Sequence, residues 1–345
     1  MPLDRALRDE LERLQFGDHL NAVVIDQIPI GYGGQLAGRL LSLKVGLASG
    51  RKAIFSHEAD PPYVQSIIKP FSWTGELPDL RELPLIDLFE RDVRQLVRFD
   101  YFAVQKLFEQ CGTYVERCAG RVLADKSQLT EEDMTKLDGW LISWLRFVPD
   151  FEAAVGHDRE RLGVSRTTLG VHIRRGDKKV EAAYVPLARF NDAIRSVYSN
   201  WQFEKVFVAT DDANVISKLE LPRGVDLVFD SNEVRYNNAN HKMLRANPEM
   251  AAQETYVAFK NFRLLCECGG IVGQDNTHFA TLARSCILNR GTEAHNTFLI
   301  DGNIAQRSQL HLRVLYLLKN SFRSFVKRVF PREILSRVDR ALHRR

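Results

Sequence analysis

The chain has 345 residues, 45% of them hydrophobic and 27% charged, a globular composition on a chain too long for one growing core, so two domains are expected. Its five cysteines (Cys111, Cys118, Cys266, Cys268, Cys286) are an odd number without a CxxC pair, which argues against a disulfide framework or a zinc site and for a reducing compartment. Net charge is +4, but residues 311–345 hold ten Arg or Lys against Glu333 and Asp339, so that segment carries +8 and leaves −4 on the preceding 310 residues; the body has no basic groove for nucleic acid.

The first residues are charged and lack the apolar core of a signal peptide, and no apolar run reaches the length of a membrane span. Residues 21–26 form a short apolar run of the buried parallel-strand kind. The glycine stretch Gly31-Tyr32-Gly33-Gly34 follows, then a helical pattern through Leu40 and Leu47 and a second strand over 52–57, which together make one βαβ unit. The glycines serve either as a tight turn or as backbone that approaches an anion at a helix N-terminus. Residues 60–85, rich in proline and aromatics, read as a long connection. Helices are expected over 88–109 and 131–147, with Trp140, Trp144 and Phe147 at core spacing.

A domain boundary is expected near residue 160, in the polar stretch from His157 to Arg161. Beyond it, strands at 169–173, 205–209, 225–229, 270–273 and 297–300 alternate with helices at 187–199, 249–267, 277–288 and 306–320, the pattern of a parallel sheet covered on both faces. The tail puts Leu315, Leu318, Phe322, Phe325 and Val329 on one face and Lys319, Arg323 and Lys327 on another. That pattern suits a helix lying on an anionic membrane or one packed back on the body.

Four strands of the second sheet end in polar clusters: Arg174 to Glu181, Thr210-Asp211-Asp212, Asp230-Ser231-Asn232, and Gln274-Asp275-Asn276-Thr277-His278. Each alone reads as a helix cap. Together, at the carboxyl ends of parallel strands, they lie where ligands bind in open α/β sheets. Asn276 and Thr277 at a helix start, facing Arg174, Arg175 and Lys178, suit a diphosphate neutralised by protein groups without a metal. Glu181 is placed to act as a general base.

The motif His172-Ile173-Arg174-Arg175-Gly176-Asp177-Lys178 with Glu181 and Tyr184 beyond it, and Thr210-Asp211-Asp212 after the next strand, resembles the α1,6-fucosyltransferases, both the N-glycan core enzymes and the rhizobial nodulation-factor enzymes. Gly31-Tyr32-Gly33-Gly34-Gln35-Leu36 is similar to the glycine loop of their first domain. The resemblance implies a GT-B-like α/β fold, two Rossmann-type domains facing across a cleft. Residues 1–160 would form the acceptor side, 161–305 the nucleotide-sugar donor domain, and 306–345 a basic helical tail.

It further implies inverting, metal-independent transfer of fucose from GDP-fucose to a glycan, with no cofactor and no nucleic-acid partner. In that scheme His172 contacts the nucleoside, Arg174 and Arg175 hold the diphosphate, and Asp177, Lys178 and Glu181 form the catalytic cluster with Glu181 as base. Asp211 and Asp212 support the arginines, Asn276, Thr277 and His278 stand at the phosphate-binding helix, and Gly31 to Gly34 close over the donor. Asn261 falls where the N-glycan enzymes hold guanine with an aspartate, and the interval from the arginines to Glu181 is one residue shorter. The family's N-terminal anchor, coiled coil and SH3-like domain are not expected here. The expected setting is cytoplasmic, peripheral to the inner face of a membrane if residues 311–345 meet anionic lipid, with a bacterial surface glycan or lipid-linked precursor as acceptor. A transferase for another nucleotide-sugar, or an inactive binding protein, are the alternatives.

Overall fold

The structure, a computed structural model, describes residues 9, 12–15, 21–26, 31–54, 96–100, 131–145, 147–176, 184–236, 243–244 and 247–302. The expected connection at 60–85, Cys111 and Cys118, the helix at 306–320 and the basic tail lie outside these residues.

Two parallel sheets organise the described chain. The smaller has the order β2-β1-β3, from β1 (Ala22–Asp26), β2 (Lys52–Ile54) and β3 (Leu96–Asp100), with helix α1 (Tyr32–Ser49) making the first crossover. Strand β3 corrects the helix expected over 88–109. Its Leu-Val-Arg-Phe-Asp run carries no decisive period, and pairing along the whole of β1 decides for strand.

The larger sheet has the order β6-β5-β4-β7-β8, from β4 (Thr168–Ile173), β5 (Lys205–Thr210), β6 (Asp226–Val228), β7 (Gly270–Gln274) and β8 (Thr297–Ile300), every pair parallel. Its strands lie within one or two residues of their expected bounds. The strand order reverses between β4 and β7, so the crevice of a doubly wound sheet opens beyond the carboxyl ends of those two strands. Among the described residues no helix is long and apolar enough to cross a membrane.

Between the sheets run α2 (Glu131–Ile142) and α3 (Pro149–Leu162). The helix expected to reach Phe147 stops at Ile142, where three successive i→i+3 turns tighten its end. Pro149 opens α3 and holds Val148 extended, which bars one continuous helix. Trp140, Trp144 and Phe147 are core residues as expected, and the two indoles meet edge to face at 5.8 Å.

The polar stretch at 157–161 is helical. Proline at its start, Asp150 and Glu152 in its first turn, Arg159 and Arg161 in its last, and Gly163 at φ 63° beyond its end are all helix signals. The boundary expected at residue 160 falls inside its last turn.

Helices α4 (Leu187–Asn200), α6 (Pro248–Glu267) and α7 (His278–Asn289), with the single turn α5 (Ala213–Ile216), complete the second sheet's layers. One apolar cluster runs from Val23 and Leu36 through Trp140 and Leu141 to Phe259, Phe262, Leu282 and Ile287, so elements of both sheets share a core. A methyl group on Gly139 of α2 would fall on the backbone carbonyl of Ser285 in α7. Glycine is what lets these two helices approach that closely.

Candidate functional site

Strand β4 is buried along its whole length and leaves the sheet at Ile173. The two arginines that follow take different environments. The Arg174 side chain is 38% exposed and pairs with the Asp211 carboxylate, itself 7% exposed at the end of β5. The same carboxylate accepts from the Arg175 amide at 2.7 Å. A Cβ on Gly176 would lie 2.6 Å from Asp211 Oδ2, so glycine makes room for this carboxylate under the turn. Burial pushes the Asp211 carboxyl up, and the charge of Arg174 and the two backbone amides pull against it.

Arg175 turns inward. It is 6% exposed and its guanidinium lies 4.9 Å from the Tyr184 ring centroid, while the Tyr184 hydroxyl donates to the Gly176 carbonyl at 3.1 Å. Burial lowers the Arg175 pKa, opposed by Tyr184, Asp212 and Asp211. Asp212 caps α5, accepting from the Asn214 amide at 3.1 Å. Arg174 is therefore the arginine presented to the crevice, with Arg175 packed behind it.

Across the switch point stands the start of α7. The Thr277 hydroxyl donates to the Gln274 carbonyl at 2.9 Å and does not cap the helix. The Thr277 oxygen also lies 3.5 Å from His172 Nδ1, a long contact. His172 is buried, and burial followed by the Arg174 charge lowers its pKa to about 3, so the ring is neutral at ordinary pH. Asn276 lies under Gly302, where any Cβ would strike its amide.

The glycine stretch meets the same corner. Gly33 and Gly34 lie inside the first turn of α1 rather than in a loop before it, and Gly31 accepts from the Gln35 amide as that turn begins. A Cβ on Gly33 would lie 2.9 Å from His278 Cβ and 3.2 Å from Phe279, and Tyr32 packs against Phe259 at 6.0 Å. The structure thus brings Gly33, Thr277, His278 and His172 together, and Arg174 with Asp211 beside them.

Helix α6 lies beside this corner, with Phe259 and Phe262 packed against Phe279. Asn261 is buried and its amide donates to Glu233 Oε2 at 3.1 Å, and among the described residues its Oδ1 has no hydrogen-bond partner. The strand-end aspartate Asp230 belongs to an ionic network instead: Lys260 lies 2.7 Å from Asp230, 3.0 Å from Glu233 and 3.3 Å from Asp158, and Arg161 lies 2.8 Å from Asp230. Burial raises the Asp230 pKa, but the bonds from Lys260 and the Asn232 amide outweigh it and the net shift is downward.

Sequence reasoning missed Glu254. It lies on α6 two turns before Asn261, and its pKa is pushed up to about 8, first by burial and then by the charge of Asp211, with Arg174 opposing. The readable signal was helical phase: accepting Asn261 as a wall of the site puts Glu254 on the same face. Asp177, Lys178 and Glu181 lie outside the described residues. Among those described, no group of three or more His, Cys, Asp or Glu is gathered for a metal.

No protein-family model and no curated protein matches this chain. Solved fucosyltransferase structures are similar to it at low identity. Bradyrhizobium fucosyltransferase NodZ is 16% identical with TM-score 0.46, over 76% of this chain and 92% of that one. A mutant of Arabidopsis thaliana FUT1 in complex with GDP is 12% identical with TM-score 0.47, over 83% and 74%. POFUT1 in complex with GDP-fucose is 10% identical with TM-score 0.42, over 82% and 98%.

Proposed function

We propose that this chain is an inverting, metal-independent glycosyltransferase that moves fucose from GDP-fucose to a glycan hydroxyl. The observation that carries the reading is the corner at the switch point: half-exposed Arg174, fixed by buried Asp211, follows the strand whose neutral His172 meets Thr277 at the start of α7. A guanidinium and a row of helix amides on opposite walls suit an anion with two phosphates. The neutral ring of His172, with one acceptor nitrogen, and the buried carbonyl oxygen of Asn261 suit the polar edges of a nucleoside.

In this reading the acceptor hydroxyl attacks the anomeric carbon while the diphosphate departs, and Arg174 with the α7 amides meets the charge that builds on the leaving oxygen. Glu181 takes the hydroxyl proton. Donors held rigid against developing charge are worth on the order of 10²- to 10³-fold each. Arg174→Ala is accordingly expected to lower transfer from GDP-fucose by about that factor, and full activity in that variant would refute the reading.

One observation favours a second reading. Asn261 offers one carbonyl where a carboxylate would meet both guanine donors, and its amide group is already engaged by Glu233. A donor carrying another base fits that site, so the assay sets GDP-fucose beside other GDP- and UDP-sugars.

A further inference from the structure

We propose that Glu254 is a binding residue for the anionic donor, giving a carboxylic-acid hydrogen bond to the diphosphate beside the Arg174 guanidinium. The proposal rests on the nucleotide-sugar reading above and adds a ligand group to its site.

The placement follows from how α6 lies on β4. Helix α6 feeds β7, so it runs antiparallel to the strands, and near its C-terminal end Leu265 packs on Gly170, whose added Cβ would lie 2.9 Å from Leu265 Cδ2. Glu254 is eleven residues earlier, which is about three turns and roughly 16 Å back along the helix on the same face. Arg174 is four residues past Gly170, roughly 13 Å along the strand in the same direction. The Glu254 side chain therefore stands level with Arg174 at the mouth of the crevice and on the face turned toward it.

The groups around it agree with that position. The charges that act on Glu254 are those of Arg174 from the end of β4, Asp211 from the end of β5, and Glu233 and Arg235 from the loop after β6. Of these, Asp211 is held by Arg174 and the Arg175 amide, and Glu233 by Arg235, Lys260 and Asn261. Glu254 makes no hydrogen bond or ion pair with another described residue and is half-buried. A carboxyl group so placed, with two fixed carboxylates near it, keeps its proton through neutral pH. An arriving diphosphate adds negative charge on the same side and holds the proton more firmly. The protonated group then donates to a phosphate oxygen, whereas the ionised group repels it.

The test is the affinity of the full chain for GDP, UDP and ADP by titration calorimetry between pH 7 and 9.5, on the natural sequence, Glu254→Gln and Glu254→Ala. The association constant of the natural chain is expected to fall about tenfold per pH unit above 8, as linkage to one retained proton requires. Glu254→Gln, which still donates from an amide, is expected to bind with near-natural affinity at pH 7 and with no pH step, and Glu254→Ala to bind about tenfold more weakly at pH 7. A pH step that survives unchanged in Glu254→Gln overturns the role of Glu254 and leaves the nucleotide reading standing. Binding of UDP or ADP, but not GDP, with the step present supports Glu254 and overturns the guanine donor. No binding of any nucleotide at any pH overturns both.

Discussion

At the scale of single residues, the site is set by environments more than by residue types. Arg174 and Arg175 are adjacent and identical in chemistry, yet one reaches the crevice and the other is packed against Tyr184, because successive residues leaving a strand point to opposite sides. His172 and Glu254 make the same point for protons. The His172 pKa is depressed from 6.5 to about 3, so the stability tied to its neutral form is complete above about 6.5 and is lost as pH falls through 3. The Glu254 pKa is raised from 4.5 to about 8, so the folded state holds a proton the unfolded chain releases, and stability falls as pH rises from 4.5 to 8. Thermal melts of Glu254→Gln should therefore match the natural chain near pH 4.5 and exceed it at pH 8.5. Equal melting temperatures at both pH values would show that the carboxyl is not held protonated by the fold.

At the scale of elements, legibility followed period and punctuation. The alternation of strands and helices from β4 to β8 was readable because each strand is a short apolar run bounded by polar or glycine residues. Helix α3 was not read, although Pro149, its acidic first turn and Gly163 all announce it; its lack of an apolar stripe made it look like a linker. Strand β3 was misread as helix because five residues carry too little period, and the partner that decides them, β1, lies some seventy residues away. Contact between α2 and α7 turns on a single glycine. Gly139→Ala would drive a methyl group into the Ser285 carbonyl, and overpacking of this kind costs about 1–3 kcal/mol. A urea unfolding midpoint unchanged by that substitution would mean the two helices do not approach as described.

For the whole molecule, ionic interactions differ greatly in what they hold. Arg195 with Asp192 is exposed on both sides, where solvent screens the pair and it holds little. Lys260 joins Asp158 of α3 to Asp230 and Glu233 of the loop after β6, at 5% exposure. Burial pushes the Lys260 pKa down, but Glu233 and Asp230 more than offset this and the net shift is upward. Lys260→Met leaves three carboxylates short of a counter-charge and is expected to cost about 3–5 kcal/mol, while Arg195→Ala should be nearly silent in the same denaturant titration. The sequence by itself determined the second sheet and the polar clusters at its strand ends, since these rest on local period and on where polar residues interrupt it. Only the tertiary structure decided that Arg175 is packed away, that Asp230 belongs to the scaffold, that Gly33 meets His278, and that Glu254 lies within reach of the charges of Asp211 and Arg174. Those facts depend on which face of one element meets another, and burial and charge coupling arise only from that meeting.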